Sequence, residues 1–476
     1  MAESRAARMV LAALAIASAC GGPRPTAPAA PPPAQVAPAR LTPLAQKNLA
    51  SFDQVWQTVK DKHWDQARVG PAWDAARREL RPRVAAARSV DEARTVLVEL
   101  LARLEQSHFA IIPGEAYADV AQPAPSPDAP AAVKAPERAG ADDETGDEAD
   151  EPESDAPTGE ACRAGDLGLD ARIVDGAAVV NRVEPRGPAA SAGVRPGWVI
   201  ERVDAVDVAE LMERVRRSSP DARTAPIEAV QRLSAGCAGR RARVRLRAPL
   251  ERIVSLRIAR AAPAGREVQF GNLPSMQLSY RARRMGRDVG YIALSVFLDA
   301  EVVLADFARD MEKFARTRGL VLDLRGNPGG IGLMAMGMGS WFVTGHIRTL
   351  GTMRTRDAAL KLILTPRPQP YAGKLAILVD ELSMSTSEIL AGGLQDLKRA
   401  RVFGVRTPGA ALPSAIERLP NGDGFQYAFA SYVSADGEAL EGKGVVPDVE
   451  VPLTREALLA GEDAALEAAL DWIRSK

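Results

Sequence analysis

One short stretch in the last quarter of the chain, where a strand turns into a helix around three serines, constrains the fold most. The apolar run Leu375–Val379 predicts a buried strand, and apolar residues at helical spacing after Glu388 predict a helix. Ser383, Ser385 and Ser387 lie at the junction. The N-terminus of a helix favours developing negative charge, as a serine nucleophile requires. Serine also caps helices, so the stretch alone leaves both roles open.

The length and charge of the protein limit its class. With 476 residues, it is long enough for two or three domains. Its 61 basic and 61 acidic residues balance, so we expect no nucleic-acid partner. The three cysteines, Cys20, Cys162 and Cys237, lack the paired spacing of a metal site, and we expect neither a metal nor another cofactor.

The first twenty residues have the pattern of a secretory signal. Arg5 and Arg8 precede an apolar run that is too short to span a membrane and that ends in small residues before Cys20. This arrangement resembles a bacterial lipoprotein signal, in which Cys20 is lipidated, with ordinary cleavage as the alternative. We therefore expect export to the cell envelope or periplasm, with membrane contact only through that anchor. In this oxidising compartment we expect a Cys162–Cys237 disulfide, with two isolated thiols as the alternative.

Composition and periodicity divide the remaining sequence into five segments. Residues 21–41 predict a Pro/Ala-rich tether, and residues 42–120 a helical subdomain. Residues 121–160 are acidic and predict a disordered linker. Residues 161–262 have β-like texture, and residues 263–476 alternate strands with helices, which predicts a layered α/β core. The strands predicted in that core are Val289–Ser295, Gly319–Leu324 and Leu375–Val379, and its helices are Leu304–Ala315 and the segment after Glu388.

The β-like segment closely resembles a PDZ domain. The resemblance is carried by a Gly-Asp-Leu-Gly-Leu loop, a small-residue helix and the segment Val194-Arg-Pro-Gly-Trp-Val-Ile200. PDZ domains add a peptide to a sheet edge and capture its terminal carboxylate with loop N–H groups. The resemblance implies that Asp166, Leu167, Gly168 and Leu169 form this carboxylate loop, and an unrelated small β-domain is the alternative.

A second motif, residues 320–330, runs from a predicted buried strand into a glycine turn. Glycines let backbone N–H groups approach a ligand closely. No P-loop lysine follows, which argues against a phosphate site. An oxyanion hole is the other candidate, in which one donor contributes about 3 kcal/mol to the transition state.

Four motifs resemble the C-terminal-processing (tail-specific) serine peptidases, and the resemblance covers about residues 45–475. They are LVLDLRGNPGG at 320–330, SMSTSEILAGGLQD at 383–396, RARVFGVRTPGA at 399–410 and LEGKGVVPDVEV at 440–451. The resemblance implies a ClpP/crotonase-like α/β peptidase core with an N-terminal helical subdomain and an inserted PDZ-like domain. It also implies that Ser385 is the nucleophile, and that the N–H of Thr386 and one from Gly329 or Gly330 form the oxyanion hole.

The sequence departs from that family at one decisive position. The family pairs its serine with a lysine, but Ala410 stands where that lysine belongs. The segment Leu101-Ala-Arg-Leu-Glu-Gln-Ser-His-Phe109 instead resembles the tricorn-like branch, which uses serine and histidine with a glutamate. That resemblance implies His108 as the base, supported by Ser107 and by Glu441.

The sequence therefore predicts an exported serine endopeptidase that acts on peptide or protein substrates and engages their C-termini through its PDZ-like domain. The alternative is a non-catalytic peptide-binding scaffold that has lost its base. His63 and His346 match no motif and are expected to be structural or exposed, and Ser383 and Ser387 to be caps or packing residues. Activity should fall as the pH drops through the pKa of His108, about 6.5 if unperturbed.

Overall fold

The computed structural model describes residues 41–121, 162–218 and 223–475. The predicted signal, Cys20 and nearly all of the predicted tether and acidic linker lie outside these residues. Within the described ranges, no helix has the length and apolar character that crossing a membrane requires.

Residues 43–102 form three helices, in the region where the sequence predicts helical structure. Thr42 and Ser89 start the first and third helices, because their hydroxyls accept the N–H groups of Ala45 and Glu92. The buried faces of the helices pack on one another and on a core hairpin described below. The elements are α1 (Pro43–Lys62), α2 (Pro71–Ala86), α3 (Val90–Ala102), β1 (Ala110–Ile112) and a short 3-10 helix (Gly114–Ala121).

The next module is a small β-domain held by a disulfide. Its sheet has the order β3-β4-β5-β8-β9, and β2 pairs with β7 beside the Cys162–Cys237 bond, whose Cα atoms are 5.1 Å apart. The predicted disulfide is thus confirmed. The elements are β2 (Ala164–Gly165), β3 (Leu169–Val174), β4 (Ala177–Val183), α4 (Pro188–Ser191), β5 (Val199–Val203), β6 (Val206–Asp207), α5 (Val208–Ser218), α6 (Ala225–Arg232), β7 (Gly236–Cys237), β8 (Arg241–Arg247), a 3-10 turn (Pro249–Glu251) and β9 (Ile253–Ala259).

One buried arginine joins this module to the core. Arg172 of β3 donates to the carboxylates of Asp170 and, at 2.8 Å, Asp380. Asp380 also accepts the N–H groups of Gly326 and Leu382 at 2.8 and 3.1 Å. A buried charge is stable only when it is paired and hydrogen-bonded, so Arg172 and Asp380 hold each other in place. Asp380 begins the loop of residues 380–385 that contains Ser383 and Ser385, here called the serine loop.

The core is a layered α/β structure. Its elements are β10 (Arg266–Val268), β11 (Met276–Leu278), β12 (Tyr280–Met285), β13 (Val289–Leu294), α7 (Ala300–Phe314), β14 (Gly319–Asp323), α8 (Gly332–Gly339), β15 (Arg348–Arg354), β16 (Ala359–Leu364), β17 (Lys374–Val379), α9 (Thr386–Asp396), β18 (Ala400–Gly404), β19 (Ser414–Arg418), β20 (Gly424–Ala428), β21 (Ser431–Ser434), β22 (Val449–Glu450), α10 (Arg455–Ala460) and α11 (Ala464–Arg474). The central sheet has the order β12-β13-β14-β17-β18-β22 and is parallel from β13 onward.

Helices cover both faces of the central sheet. Residues of α7, α8 and α9 pack on one face, and α11 packs on the other. The predicted strands and helices of the core are confirmed to within a few residues. Because β14 and β17 are neighbours, the glycine turn and the serine loop leave the sheet side by side at its carboxyl edge.

The helical subdomain docks on the β19–β20 hairpin of the core. Strand β1 pairs with β20, with Ala110 opposite Gln426. Arg94 of α3 forms a 2.7 Å ion pair with Asp423, whose side chain is buried. Since His108 lies in the bend between α3 and β1, this docking carries it to the core.

Candidate active site

Ser385 lies at a strained strand-to-helix turn between β17 and α9. Its backbone has φ 54° and ψ −114°, outside the regions that a non-glycine residue prefers. Its N–H donates to Ala410 O at 2.8 Å and to the Glu388 carboxylate at 3.1 Å. Strain of this kind persists only where surrounding contacts enforce it, and a strained serine before a helix is the geometry of a nucleophile elbow.

Ser383 and Ser387 have a different environment. Both are fully buried, and their hydroxyls donate to the backbone oxygens of Leu324 and Asn327 at 2.8 and 3.0 Å. They are packing residues, as expected, and they fasten the serine loop to the glycine turn.

The glycine turn packs directly against Ser385. A Cβ atom on Gly329 would lie 2.7 Å from the Ser385 Cβ and 2.9 Å from the Thr386 nitrogen, so a side chain has no room there. The Gly329 N–H already donates to Asn327 Oδ1 at 2.9 Å. The N–H of Gly330 has no hydrogen-bond partner among the residues that the structure describes.

Two N–H groups beside Ser385, those of Gly330 and Thr386, are therefore candidate oxyanion donors. Thr386 is the first residue of α9, and the first N–H groups of a helix have no partner within it. Gly330 is held beside it, because its carbonyl accepts the Thr386 hydroxyl at 2.9 Å. Of the two glycines that the sequence offered, Gly330 is the better donor.

The structure brings Ser107, His108 and Glu441 into one hydrogen-bonded relay. Ser107 Oγ lies 2.8 Å from His108 Nδ1 and 2.9 Å from Glu441 Oε2, and the Ser107 N–H donates to Glu441 Oε1 at 2.7 Å. A hydroxyl has a single proton to donate. When it donates to the glutamate, His108 Nδ1–H donates to Ser107 Oγ and the lone pair resides on Nε2.

The surroundings of this relay alter its protonation. Burial lowers the pKa of His108 to about 4, although its side chain keeps some exposure. Burial also raises the pKa of Glu441, an effect that its hydrogen bonds from Ser107 and Ala411 oppose. The sequence gives a pKa of about 6.5 for His108 only if its surroundings leave it unperturbed, and burial lowers it from that value.

The segment Ala410–Ala411 lies between this relay and Ser385. Ala410 O accepts the Ser385 N–H at 2.8 Å, and the Ala411 N–H donates to Glu441 Oε2 at 3.2 Å. Ala410 thus contributes only backbone groups and a methyl group at the position of the family's lysine. The segment connects Ser385 to the relay.

Sequence reasoning missed the role of Glu388. Its buried carboxylate accepts the Thr407 hydroxyl at 2.6 Å and the N–H groups of Gly409, Ala410 and Ser385 at 2.7, 2.9 and 3.1 Å. Burial raises the pKa of Glu388 to about 7, against the opposing effect of these donors. A glutamate three residues into a helix indicates only a cap, so no local signal reveals its distant partners.

The predicted carboxylate loop lies between β2 and β3 of the β-domain. Its Leu167 N–H donates to Ser234 O at 3.2 Å, and its Gly168 N–H donates to Asp166 Oδ1 at 2.6 Å. Leu169 begins β3. The Asp166 N–H also donates to Ala261 O at 2.8 Å, so three N–H donors of this loop are engaged within the module itself.

Comparison with known proteins agrees with this architecture. Residues 288–451 match the model of Peptidase family S41, and residues 45–102 match the Tricorn protease C1 domain. A carboxyl-terminal-processing protease of Synechocystis sp. is 32% identical over 249 residues, which cover 49% of this chain and 56% of that protein. A probable CtpA-like serine protease of Staphylococcus epidermidis is 32% identical over 135 residues, 28% of each protein. The protein thus spans about half or less of the length of these relatives.

Solved structures share the fold over nearly the whole sequence. The photosystem II D1 C-terminal processing protease has a TM-score of 0.53 at 21% identity and covers 90% of this chain and 98% of its own. Mature CPAF in complex with lactacystin has a TM-score of 0.57 at 13% identity and covers 91% of this chain and 98% of its own.

Proposed function

We propose that this protein is a serine endopeptidase with a serine–histidine mechanism, because residues 288–451 match the model of Peptidase family S41. Ser385 is the nucleophile and His108 the general base. The observation that carries this proposal is the Ser107–His108–Glu441 relay, which the backbone of Ala410 and Ala411 connects to Ser385.

The proposed mechanism gives each of these residues one role. His108 Nε2 takes the Ser385 proton as Oγ attacks the substrate carbonyl carbon. The N–H groups of Gly330 and Thr386 stabilise the oxyanion. His108 then returns the proton to the leaving amine, and water hydrolyses the acyl-enzyme with the same base. Ser107 and Glu441 hold the imidazole and stabilise its transient positive charge.

Substrate capture and location complete the proposal. Peptide or protein C-termini bind the PDZ-like module at Asp166, Leu167, Gly168 and Leu169, where a terminal carboxylate replaces Asp166 Oδ1 on the Gly168 N–H. The protein is exported to the bacterial envelope, with Cys20 as its lipidated residue.

A serine-reactive fluorophosphonate probe tests the function. Peptide mapping should find the label on Ser385 and on neither Ser383 nor Ser387, whose hydroxyls are buried and hydrogen-bonded. Turnover of an unstructured peptide should stop as labelling completes. A folded protein that takes no label would instead support the non-catalytic scaffold.

The pH profile should have two steps on its acid side. Activity requires ionised Glu388 and neutral His108, whose pKa values are about 7 and about 4. As the pH falls through about 7, Glu388 gains a proton and the Ser385 N–H loses a charged acceptor, so kcat/KM declines in part. It declines fully only near pH 4, where His108 becomes protonated. Rates measured from pH 3.5 to 9 check this, and a single step near 6.5 contradicts it.

A variant of Glu388 tests whether this residue causes the step near pH 7 in the pH profile. Glu388→Gln keeps the shape of the side chain but cannot titrate, and its NH2 group would face the N–H and O–H groups that now donate to the carboxylate. We therefore expect about 10²-fold lower kcat, with only the step near pH 4 remaining in the pH profile. Folding stability depends on pH in the opposite direction from activity. Because the pKa of Glu388 is raised in the folded state, this residue stabilises the fold fully below about pH 4.5. That stabilisation is lost as the pH rises through about 7.

A further inference from the structure

His63 is a buried histidine that the mechanism above does not use. It caps the C-terminus of α1, and its side chain is fully buried, with 0% exposed. Its ring stacks on Trp64 with centroids 4.2 Å apart and on Phe109 with centroids 5.7 Å apart. Phe109 directly follows His108, so the two histidines share one short segment.

The hydrogen bonds of His63 fix its tautomer. The Asp65 N–H donates to Nδ1 at 3.0 Å, which makes that nitrogen an acceptor. The proton therefore resides on Nε2 and is donated to Gln106 Oε1 at 2.8 Å. His63 thus holds Gln106 and Phe109, the residues on either side of the Ser107–His108 pair.

The bend that bears the base is strained. Glu105 and His108 have φ angles of 51° and 61°, which non-glycine residues rarely adopt. Each such residue costs about 1–3 kcal/mol and persists only where its surroundings enforce it. The connection between α1 and α2 holds this bend through three contacts. Two are made by His63, with Gln106 and Phe109. The third is the hydrogen bond from Arg68 Nη1 to Leu104 O at 3.1 Å.

We propose that His63 is a positioning residue for the reaction: its neutral ring holds the bend of residues 104–109 and so aims His108 at Ser385. The inference rests on the proposed role of His108 as base. Protonation of His63 would set a second N–H against the Asp65 N–H, so only the neutral ring performs this role. Burial favours that form by lowering the pKa of His63, while the charges of Asp65 and Arg68 act on it in opposite directions.

His63→Phe tests the proposal, because it keeps an aromatic ring between Trp64 and Phe109 and removes both hydrogen bonds. We expect kcat to fall about 10–100-fold with KM changed less than about 2-fold, as a misplaced base predicts. The rate of fluorophosphonate labelling should fall in parallel. The lower acid step should move from near pH 4 towards about 6.5, since a loosened His108 regains water.

Two further variants keep the test independent of folding. Gln106→Leu removes the same hydrogen bond from the other side and leaves the buried ring intact. It should reproduce most of the loss, and the double variant should be no worse than His63→Phe, because both substitutions remove the His63–Gln106 hydrogen bond. His346→Phe, at an exposed histidine, should leave the kinetics of the wild type unchanged.

The outcomes distinguish a failure of the role proposed for His63 from a failure of the peptidase function on which that role depends. If both single variants retain wild-type kcat and an unmoved acid step, His63 is structural and the inference is overturned. A uniform fall in the amount of active enzyme, with the acid step unmoved, also overturns it. If the wild type itself neither takes the probe nor hydrolyses peptide, the proposed function fails, and this inference with it.

Discussion

Ser385→Ala is expected to lower kcat/KM by about 10⁵-fold or more, to near the uncatalysed rate. The substitution removes the only atom that forms the acyl-enzyme, and no neighbouring hydroxyl replaces it, because those of Ser383 and Ser387 donate to backbone oxygens in the interior. The fold should be unchanged. Alanine has the same Cβ at the strained turn, and the Ser385 backbone N–H keeps both acceptors. Hydrolysis of an unstructured peptide, together with circular dichroism, measures the two effects.

Ser387→Ala is the matched control for this prediction. It lies two residues away and loses one buried hydrogen bond, which should cost about 1 kcal/mol of folding stability. Its activity should stay within about 10-fold of the wild type, and its Ser385 should still take the probe. Undiminished turnover in Ser385→Ala would show that another group is the nucleophile.

His108→Ala should lower kcat by about 10⁴-fold or more, because the members of such a site act as a unit. Ser385 then has no base, since Ala410 replaces the lysine of related sites and the Glu388 carboxylate is occupied by four donors. KM should change little, because His108 transfers protons during the reaction and does not hold the bound substrate. Steady-state kinetics on a short peptide separate the two constants.

Added imidazole provides the control for His108→Ala. Imidazole should restore part of the lost rate, with a dependence on pH that follows its own neutral form, whereas it should not restore Ser385→Ala. Ser107→Ala should have a smaller effect than His108→Ala, because it loosens the imidazole and leaves the base in place. Equal activity of His108→Ala and the wild type would remove histidine from the mechanism.

The sequence predicted what local patterns encode. Apolar runs and helical spacing located β14, β17 and α9, and the strand-to-helix junction placed Ser385 where a nucleophile is favoured. The disulfide followed from cysteine number and compartment. Each of these features depends on residues close in sequence or on composition.

The features that the sequence did not predict arise from tertiary contact. The side-chain oxygen of Asn327 takes the Gly329 N–H, so the choice between Gly329 and Gly330 depended on a rotamer. Glu388 gathers donors from a loop about twenty residues away, and the low pKa of His108 reflects the atoms packed around it. No pattern along the sequence records which distant groups will meet.

The hydrogen bonds between Ser107 and Glu441 join residues 334 positions apart, and this separation affects the order of events during synthesis. A growing polypeptide presents His108 early, Ser385 much later and Glu441 near its end. The complete site can form only when the first helices dock on a hairpin made hundreds of residues afterwards. A nascent polypeptide therefore lacks the Ser107–His108–Glu441 relay until synthesis has passed Glu441.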